Sequence, residues 1–203
     1  MKTHSQIMDS EMKLTSCPIM PTYGAPSVMF VKGKGTELWD QSDNRYLDFV
    51  GGLAVQSLGH ANPEIAEVLA NQASKLTQVS NYWATEHAHH VAIQLDKAIT
   101  GRLKNPKGET YTPLGQVFFC NSGAEANELA FKIARKTASK DSYGVITALD
   151  SFHGRTLAAL AACGQPQKHE PFAPMPAGFS HIERDNLSDL DSAVTEITAA
   201  IHL

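Results

Sequence analysis

The chain has 203 residues, a formal net charge of −4, 42% hydrophobic residues and 19% charged residues. This composition is typical of a globular protein, and the mild acidity argues against nucleic-acid binding through a basic surface. The longest apolar run, Leu157 to Cys163, is far shorter than the ~20 residues that cross a bilayer. The first thirty residues also lack the apolar core of a secretory signal, so no membrane partner is predicted.

Cysteine and histidine residues indicate neither a disulfide framework nor a metal site. Cys17, Cys120 and Cys163 are few and widely spaced, which favours a reducing compartment and predicts a cytoplasmic location. In the histidine cluster at positions 87, 89 and 90, His87 and His90 have the spacing to share a metal on one helix. A solvated helix face is the commoner reason for such a pair, and no metal signature surrounds it.

The first predicted elements form a small α+β segment. Residues 1–20 carry no strong pattern and are expected to be weakly ordered. Short β-prone runs separated by Gly, Asp and Asn then predict an antiparallel meander. The predicted strands are Val28–Val31, Glu37–Asp40 and Arg45–Phe49. Gly33 and Gly35 lack the third glycine of a dinucleotide loop, so they indicate a hairpin turn rather than an NAD-binding domain.

Two helices are predicted to follow the meander. Asn62 and Pro63 are a typical N-cap and first helical residue, and the apolar residues after them recur at helical spacing. These residues are Ile65, Val68, Leu69 and Leu76. A second helix is predicted from Thr85–Glu86. Its apolar stripe consists of Ala88, Val91, Ala92, Leu95 and Ile99. Gly101 to Gly115, which is rich in glycine and proline, is expected to be an exposed connection.

From residue 117 onward, strands and helices alternate, which predicts a parallel α/β sheet. The apolar runs Val117–Cys120 and Val145–Leu149 are typical of strands that are buried on both faces. A helix follows each strand, one after the turn Asn121–Gly123 and one over Thr156–Cys163. The stripe of the first of these helices consists of Ala126, Leu129, Ala130, Ile133 and Ala134.

The last part of the chain is predicted to contain a loop and a helix. Prolines and glycines indicate a long surface loop over Gly164–Gly178. Ser188 and Asp191 form the pattern of a capping box. The stripe of the helix that they begin consists of Leu190, Val194, Ile197 and Ile201. Only two parallel strands are then predicted, which is too few to bury the faces of a sheet, so the chain is expected to be truncated.

Two turns between a strand and a helix are the candidate functional sites, because ligands of parallel α/β sheets bind at the carboxyl ends of the strands. In the first turn, Ser122, Gly123 and Ala124 would present backbone N–H groups and a hydroxyl to a phosphate at a helix N-terminus. Turn geometry alone explains a serine and a glycine at these positions equally well.

The second turn, Asp150–Thr156, has an aromatic ring, an imidazole and a guanidinium within four residues. Arg155 is suited to a bidentate contact with a carboxylate, and Phe152 is suited to stacking on a planar ring. A core phenylalanine, a backbone-bonded His153 and a surface ion pair of Arg155 would explain the turn equally well. Together, the two turns indicate one ligand with a phosphate, a flat ring and a carboxylate.

These turns resemble the signature segments of the class III aminotransferases, which are fold-type I enzymes that use pyridoxal phosphate (PLP). The matching segments are Asn121–Glu128, Ser151–Thr156, Gly35–Asp40, Tyr46–Phe49 and Leu58–Pro63. The resemblance runs from about Pro21 to Leu203. Within the family, Gly51–His60 and Gly164–Pro166 resemble the members that act on N2-acetylornithine.

The resemblance implies an incomplete α/β PLP-transferase fold of type I. Residues 1–20 would be a weakly ordered N-terminus, and residues 21–75 a small α+β segment with the β-meander and a helix. Residues 76–203 would be the first part of the large PLP-binding domain, with a mainly parallel sheet flanked by helices. The phosphate-binding positions of the family match Ser122, Gly123 and Ala124. The ring-stacking aromatic residue matches Phe152, and the arginine for the substrate carboxylate matches Arg155.

The resemblance also implies an activity, which is transfer of an amino group from an ω-amine donor, N2-acetylornithine, to 2-oxoglutarate, as in arginine biosynthesis. Family members are homodimers, so the helix from Asn62 and the segment Asn81–Thr85 would lie at the dimer interface. Asn81–Tyr82 would line the substrate entrance, although Trp83–Ala84 departs from the commoner pattern. An ornithine or 4-aminobutyrate aminotransferase stays an alternative.

The Schiff-base lysine of the family lies in a motif that no lysine of this chain occupies. The lysines compared are Lys97, Lys104, Lys132, Lys136, Lys140 and Lys168. We therefore expect no catalytic residue within the chain and no turnover by the chain alone. A truncated gene product without activity is the second alternative.

Overall fold

The computed structural model describes residues 18–100 and 115–203, which form two compact units divided between Thr85 and Glu86. The weakly ordered N-terminus predicted for residues 1–20 and the connection predicted for Gly101 to Gly115 lie almost wholly outside the described residues. The division predicted after residue 75 stays a prediction.

The first unit contains the predicted three-stranded antiparallel meander. Its strands are β1 (Phe30–Lys34), β2 (Glu37–Asp40) and β3 (Arg45–Leu47), and they pair in the order β1-β2-β3. Gly33 lies inside β1 rather than in the turn where the sequence pattern places it. A Cβ at residue 33 would lie 2.7 Å from the Cβ of His60, so the strand needs glycine there for His60 to pack against it.

Asp48 holds the segment that follows β3. Its carboxylate accepts hydrogen bonds from the N–H groups of Val50 and Gly51, at 2.9 and 2.8 Å, and contacts His60 Nε2 at 2.6 Å. The hydrogen bond to His60 is the main reason that the pKa of Asp48 is lowered. The next turn, Gly51–Ala54, has positive φ at all four residues, two of which are not glycine. The bonds of Asp48 therefore anchor a strained backbone.

The helix α1 (Pro63–Ala73) begins where the sequence predicts it. Asn62 Oδ1 accepts hydrogen bonds from two backbone N–H groups of the first turn. The helix ends at Ala73, so Leu76 of the predicted stripe lies beyond it. Val68 and Leu69 of that stripe are exposed in the described chain.

The second unit contains four helices and a parallel sheet among its described residues. The helices are α2 (Glu86–Thr100), α3 (Gly123–Thr137), α4 (Leu157–Ala162) and α5 (Leu187–Ala193). The strands are β4 (Gly144–Ala148), β5 (Phe179–Ile182) and β6 (Thr198–His202). They pair in the order β5-β4-β6. The loop between α4 and β5 contains two 3-10 turns, Pro166–Lys168 and Glu170–Phe172. Within the described ranges, no helix is long and apolar enough to span a bilayer.

Two predictions about the strands are wrong. Val117–Cys120 is not a strand, because no strand in the described part of the chain pairs with it, and Phe118 and Phe119 are 60% and 51% exposed. An unpaired extended segment has no backbone hydrogen bonds to stabilise it as a strand. In contrast, β5 is missing from the prediction, since its four residues follow a loop rich in proline and glycine and are too few to show a period.

The last predicted helix is wrong at both ends. Helix α5 begins after Asn186, whose Oδ1 accepts a hydrogen bond from the N–H of Asp189 at 3.1 Å, and not at Ser188. The helix ends at Ala193, and Ile201 belongs to β6. β-branched residues favour the extended backbone there, and β6 pairs with the buried strand β4. The described part of the sheet thus has three parallel strands, one of which, β4, matches a predicted strand.

The buried face of α3 differs from its predicted apolar stripe. Ala126 and Ile133 of that stripe are exposed, whereas Phe131 is buried. Its ring packs edge-on against Phe179 and His202, at centroid distances of 5.2 and 5.4 Å. The face of α3 that includes Phe131 also includes two polar residues, 127 and 128, which a search for apolar periodicity passes over.

The second unit should lose stability in acid because two of its histidines have lowered pKa values. Burial is the main cause for both His153 and His181, and neighbouring histidines add to it. The unfolded chain binds protons that the folded chain excludes, so this stability is complete above about pH 6.5 and is lost as the pH falls. Between about pH 7.5 and about pH 5.5 we expect the melting temperature to fall by on the order of 5 °C, followed by circular dichroism.

His181→Asn should reduce this pH dependence, because asparagine can keep the hydrogen bond that His181 Nδ1 makes with Thr147 Oγ1 at 2.8 Å. His90→Asn, at an exposed position of α2, is the control and should leave the dependence unchanged. A melting temperature that is flat over this pH range would contradict the prediction.

Candidate functional site

The two turns predicted to bind a ligand lie in direct contact. A Cβ at residue 154 would lie 2.6 Å from the Cβ of Ala124 and 3.0 Å from that of Ala159. Gly154 also has a φ of +140°, which L-residues with a side chain rarely adopt. The close approach puts the turn after β4, which contains Phe152 and Arg155, against the start of α3.

The first turn begins α3 with a hydrogen-bonded cap. Ser122 Oγ accepts a hydrogen bond from the N–H of Glu125 at 3.2 Å and donates one to the Glu125 carboxylate at 3.1 Å. That carboxylate also accepts a hydrogen bond from the N–H of Asn121 at 2.7 Å, which is the main reason that the pKa of Glu125 is lowered. The Ser122 hydroxyl is therefore engaged within the chain, and its role toward a ligand stays a prediction.

The backbone of the same turn is open to an anion. Gly123 and Ala124 are the first two helical residues, so their N–H groups have no carbonyl partner within the helix. Apart from its chain neighbours and the backbone of its own helix, no described atom lies within 4 Å of a Cβ built at Gly123, which leaves room for a group to approach. The helix dipole favours negative charge at this end, although the ionised Glu125 offsets part of that effect.

The second turn exposes an aromatic ring and a guanidinium side by side. Phe152 is 59% exposed, which corrects the alternative that it lies in the core. The guanidinium carbon of Arg155 lies 4.9 Å from the centroid of this ring, a cation–π contact. The structure thus brings an exposed aromatic ring and a guanidinium together, and their roles toward a ligand stay predictions.

His153 is buried beneath this surface. Its N–H donates a hydrogen bond to Cys163 Sγ at 3.1 Å, and its ring lies 4.8 Å from the ring of His202. Burial is the main cause of its lowered pKa, so the imidazole is neutral at neutral pH. These contacts give His153 a packing role in the turn.

Residues to which the sequence assigned no role hold the second turn in place. Asn127 Nδ2 donates a hydrogen bond to the carbonyl oxygen of His153 at 2.6 Å, and Asn127 Oδ1 contacts His202 Nε2 at 2.8 Å. The Glu128 carboxylate accepts a hydrogen bond from the Thr156 hydroxyl. Asn127 and Glu128 could have been found from the sequence by their spacing of three and four residues from Ala124, which puts them on the same helix face as that residue.

The segment after α4 supports the turn from another side. Gln165 Nε2 donates a hydrogen bond to the carbonyl oxygen of Ser151 at 2.8 Å, and the Gly164 N–H donates one to Ser151 Oγ at 3.3 Å. A Cβ at Gly164 would lie 2.2 Å from the Ala148 carbonyl oxygen, so β4 and this segment touch. The Gly164–Pro166 match of the sequence therefore belongs to the framework of the site.

Other candidate residues belong to other elements of the chain. Residues 87, 89 and 90 are exposed on α2, and no three His, Cys, Asp or Glu side chains of the described residues are grouped to hold a metal. In the first unit, Tyr82 and Trp83 are 92% and 73% exposed, and the entrance role of Asn81–Tyr82 stays a prediction. Cys120 and Cys163 are free thiols, and Cys17 lies outside the described residues.

Comparison with known proteins points to one family. The profile of the family described as "Aminotransferase class-III" matches residues 20–202. The acetylornithine aminotransferase of Streptomyces clavuligerus is 41% identical over 185 residues, which are 91% of this chain and 42% of that protein. The acetylornithine aminotransferase of Caldanaerobacter subterraneus subsp. tengcongensis is 44% identical over 190 residues, which are 91% of this chain and 45% of that protein.

A solved structure of the ornithine aminotransferase from Toxoplasma gondii is also similar. It was crystallized in the presence of oxidized glutathione and has partial occupancy of PLP at its active site. The TM-score is 0.76 at 29% sequence identity, and the match covers 91% of this chain and 42% of that one. The present chain therefore spans less than half the length of the relatives that it matches.

The contact between the turns predicts that Gly154→Ala destabilises the protein. Its methyl group would overlap Ala124 and Ala159, and the φ of +140° would be strained, so we expect a loss of about 2 kcal/mol in the free energy of unfolding in urea. Gly123→Ala is the matched control, since its methyl group meets no atom within 4 Å beyond its chain neighbours and its own helix backbone, and alanine favours a helix. Equal effects of the two substitutions would contradict the prediction.

Proposed function

This chain belongs to the class III aminotransferases, and from that membership we propose that it forms part of a PLP-dependent transaminase. One observation carries the proposal: the contact of Gly154 with Ala124 joins a helix N-terminus, an exposed aromatic ring and an arginine at one site. The names of the relatives support the same activity, since two are acetylornithine aminotransferases and one is an ornithine aminotransferase.

The residues of the site fit PLP. The N–H groups of Gly123 and Ala124 suit its phosphate, because the start of a helix binds anions, and the space beside Gly123 admits it. Phe152 offers an exposed face to the pyridine ring. Ser122 adjoins the phosphate position, but its hydroxyl would have to leave Glu125 to donate to the ligand. When bound, PLP supplies an electron sink for the charge that develops on the donor carbon as its proton leaves.

Arg155 would hold the carboxylate that the amino donor and the oxo acid both carry. Its planar guanidinium matches the two oxygens of a carboxylate, and its charge persists at any physiological pH. Because Arg155 contacts Phe152, a carboxylate bound to Arg155 would lie beside a ring stacked on Phe152. Orientation of the substrate against the cofactor is then the contribution of this turn.

The lysine that binds PLP covalently is, in this proposal, not among these 203 residues. Lys132 and Lys136 lie on α3, about 13 Å or more along the helix from Gly123. Lys97, Lys140 and Lys168 fall outside the lysine motif of the family, and Lys104 lies outside the described residues.

The substrates that we propose are N2-acetylornithine and 2-oxoglutarate, in a cytoplasmic homodimer that serves arginine biosynthesis. The names of the curated relatives support this donor. The Toxoplasma gondii neighbour supports ornithine as the second candidate. The apolar residues of α1, which are exposed in the described chain, suit the proposed dimer interface.

Sequencing the reading frame beyond codon 203 and assaying its product tests the proposal. We expect turnover with N2-acetylornithine, 2-oxoglutarate and PLP, and slower turnover when ornithine or 4-aminobutyrate replaces the donor. The 203-residue chain alone should show none. Turnover by the chain alone would place the lysine within it, and no turnover by either protein with any donor would reject the activity.

Removal of the Arg155 guanidinium should weaken the binding of both substrates. In the product of the full reading frame, Arg155→Ala should raise KM for the amino donor and for 2-oxoglutarate on the order of 10- to 100-fold, the worth of a charged hydrogen-bond pair. Arg184→Ala, at an exposed position after β5, is the matched control in steady-state assays. Unchanged KM values in Arg155→Ala would remove Arg155 from the carboxylate site.

A further inference from the structure

Two consecutive residues of α3 hold the segment 153–156 at both ends. At one end, Asn127 Nδ2 donates a hydrogen bond to the carbonyl oxygen of His153 at 2.6 Å. At the other end, the Glu128 carboxylate accepts a hydrogen bond from the Thr156 hydroxyl. Arg155 lies between these two points, so the backbone on either side of it is tied to a rigid helix.

Each of the two side chains has a second anchor. Asn127 Oδ1 contacts Nε2 of His202 at the end of β6, at 2.8 Å, so both atoms of the half-buried amide are paired. Loss of either bond would leave a partly buried polar group unsatisfied. Glu128 also accepts a hydrogen bond from the N–H of Ala159 at 3.4 Å. It thereby caps α4, whose own N-cap residue Thr156 makes no side-chain cap.

The side chain of Arg155 itself is exposed, and its guanidinium contacts the ring of Phe152, which is also exposed. The direction of such an exposed side chain therefore depends mainly on the position of its own backbone. Because Asn127 and Glu128 are on the helix that begins at Gly123, they also fix the distance from Arg155 to the phosphate-binding turn.

We propose that Asn127 and Glu128 are positioning residues for Arg155, which align its guanidinium for the carboxylate of the substrate. The identity of that ligand rests on the proposed function, whereas the immobilisation of segment 153–156 rests on the hydrogen bonds alone. A general structural role would stabilise the whole unit without a specific effect on this segment, so the two roles are separable by experiment.

Trypsin digestion tests the immobilisation of segment 153–156 without any ligand. Trypsin cleaves the chain after Arg155, so the rate of this cleavage reports on the mobility of the segment. Cleavage after Arg184 provides an internal reference in the same unit. In Asn127→Ala we expect cleavage after Arg155, relative to that after Arg184, to accelerate about tenfold through local opening. The fragments are quantified by mass spectrometry. A ratio equal to that of the wild type in a folded variant overturns the proposal.

If Asn127→Ala unfolds, so that trypsin cleaves faster after both Arg155 and Arg184, a pair of Glu128 variants tests the immobilisation instead. Glu128→Gln keeps an oxygen acceptor for Thr156, whereas Glu128→Ala does not. We expect Glu128→Ala to raise the cleavage ratio and Glu128→Gln to restore most of the protection. Equal ratios for the two variants overturn the proposal.

Binding of glutarate, a dicarboxylate that cannot react, tests the link to Arg155. In the product of the full reading frame, we expect Asn127→Ala and Arg155→Ala each to weaken the calorimetric Kd at least about tenfold, and the double variant to match Arg155→Ala alone. Additive effects overturn the positioning role. If the wild type binds neither glutarate nor PLP, the proposed function is rejected, and the alignment role is rejected with it. An unchanged trypsin cleavage ratio in Asn127→Ala instead rejects the immobilisation of segment 153–156.

Discussion

The close approach of Gly154 to Ala124 is the constraint on which the site depends. A separation of 2.6 Å between Ala124 Cβ and a Cβ at residue 154 leaves no room for any side chain, and the φ of +140° independently requires glycine. This contact puts the turn after β4 against the start of α3. Open N–H groups, an aromatic ring and a guanidinium therefore share one edge of the sheet. The N–H groups belong to the first turn, whereas the ring and the guanidinium belong to the second turn, which is distant in sequence.

Helix α3 organises this edge because the face that it buries is partly polar. Phe131 anchors the face in the core, and Asn127 and Glu128 lie one turn nearer to the candidate site. Polar side chains are stable in such a place only when their hydrogen bonds are satisfied, and here they bind the second turn and the end of β6. If Asn127 and Glu128 position Arg155 as proposed, the packing of the helix and the geometry of Arg155 depend on the same contacts.

The net charge of −4 is compatible with the proposed anion site, since local groups and not the total charge would form that site. Helix N–H groups and the Arg155 guanidinium supply the positive potential within a few residues. Glu125 opposes it in part, as its carboxylate is held ionised by the N–H of Asn121 and the Ser122 hydroxyl. Membership in the class III aminotransferases and the proposed PLP chemistry are consistent with this balance.

The sequence by itself determined the local elements and the family. Asn62–Pro63 marked the start of α1, the run at 145–149 marked the buried strand, and the two signature turns identified the candidate residues. Only the tertiary structure decided which segments pair: Val117–Cys120 is not a strand despite its apolar run, and Thr198–His202 is one despite a helical spacing. Strand formation and the partial burial of Asn127 both depend on partners distant in the chain, which local periodicity cannot reveal.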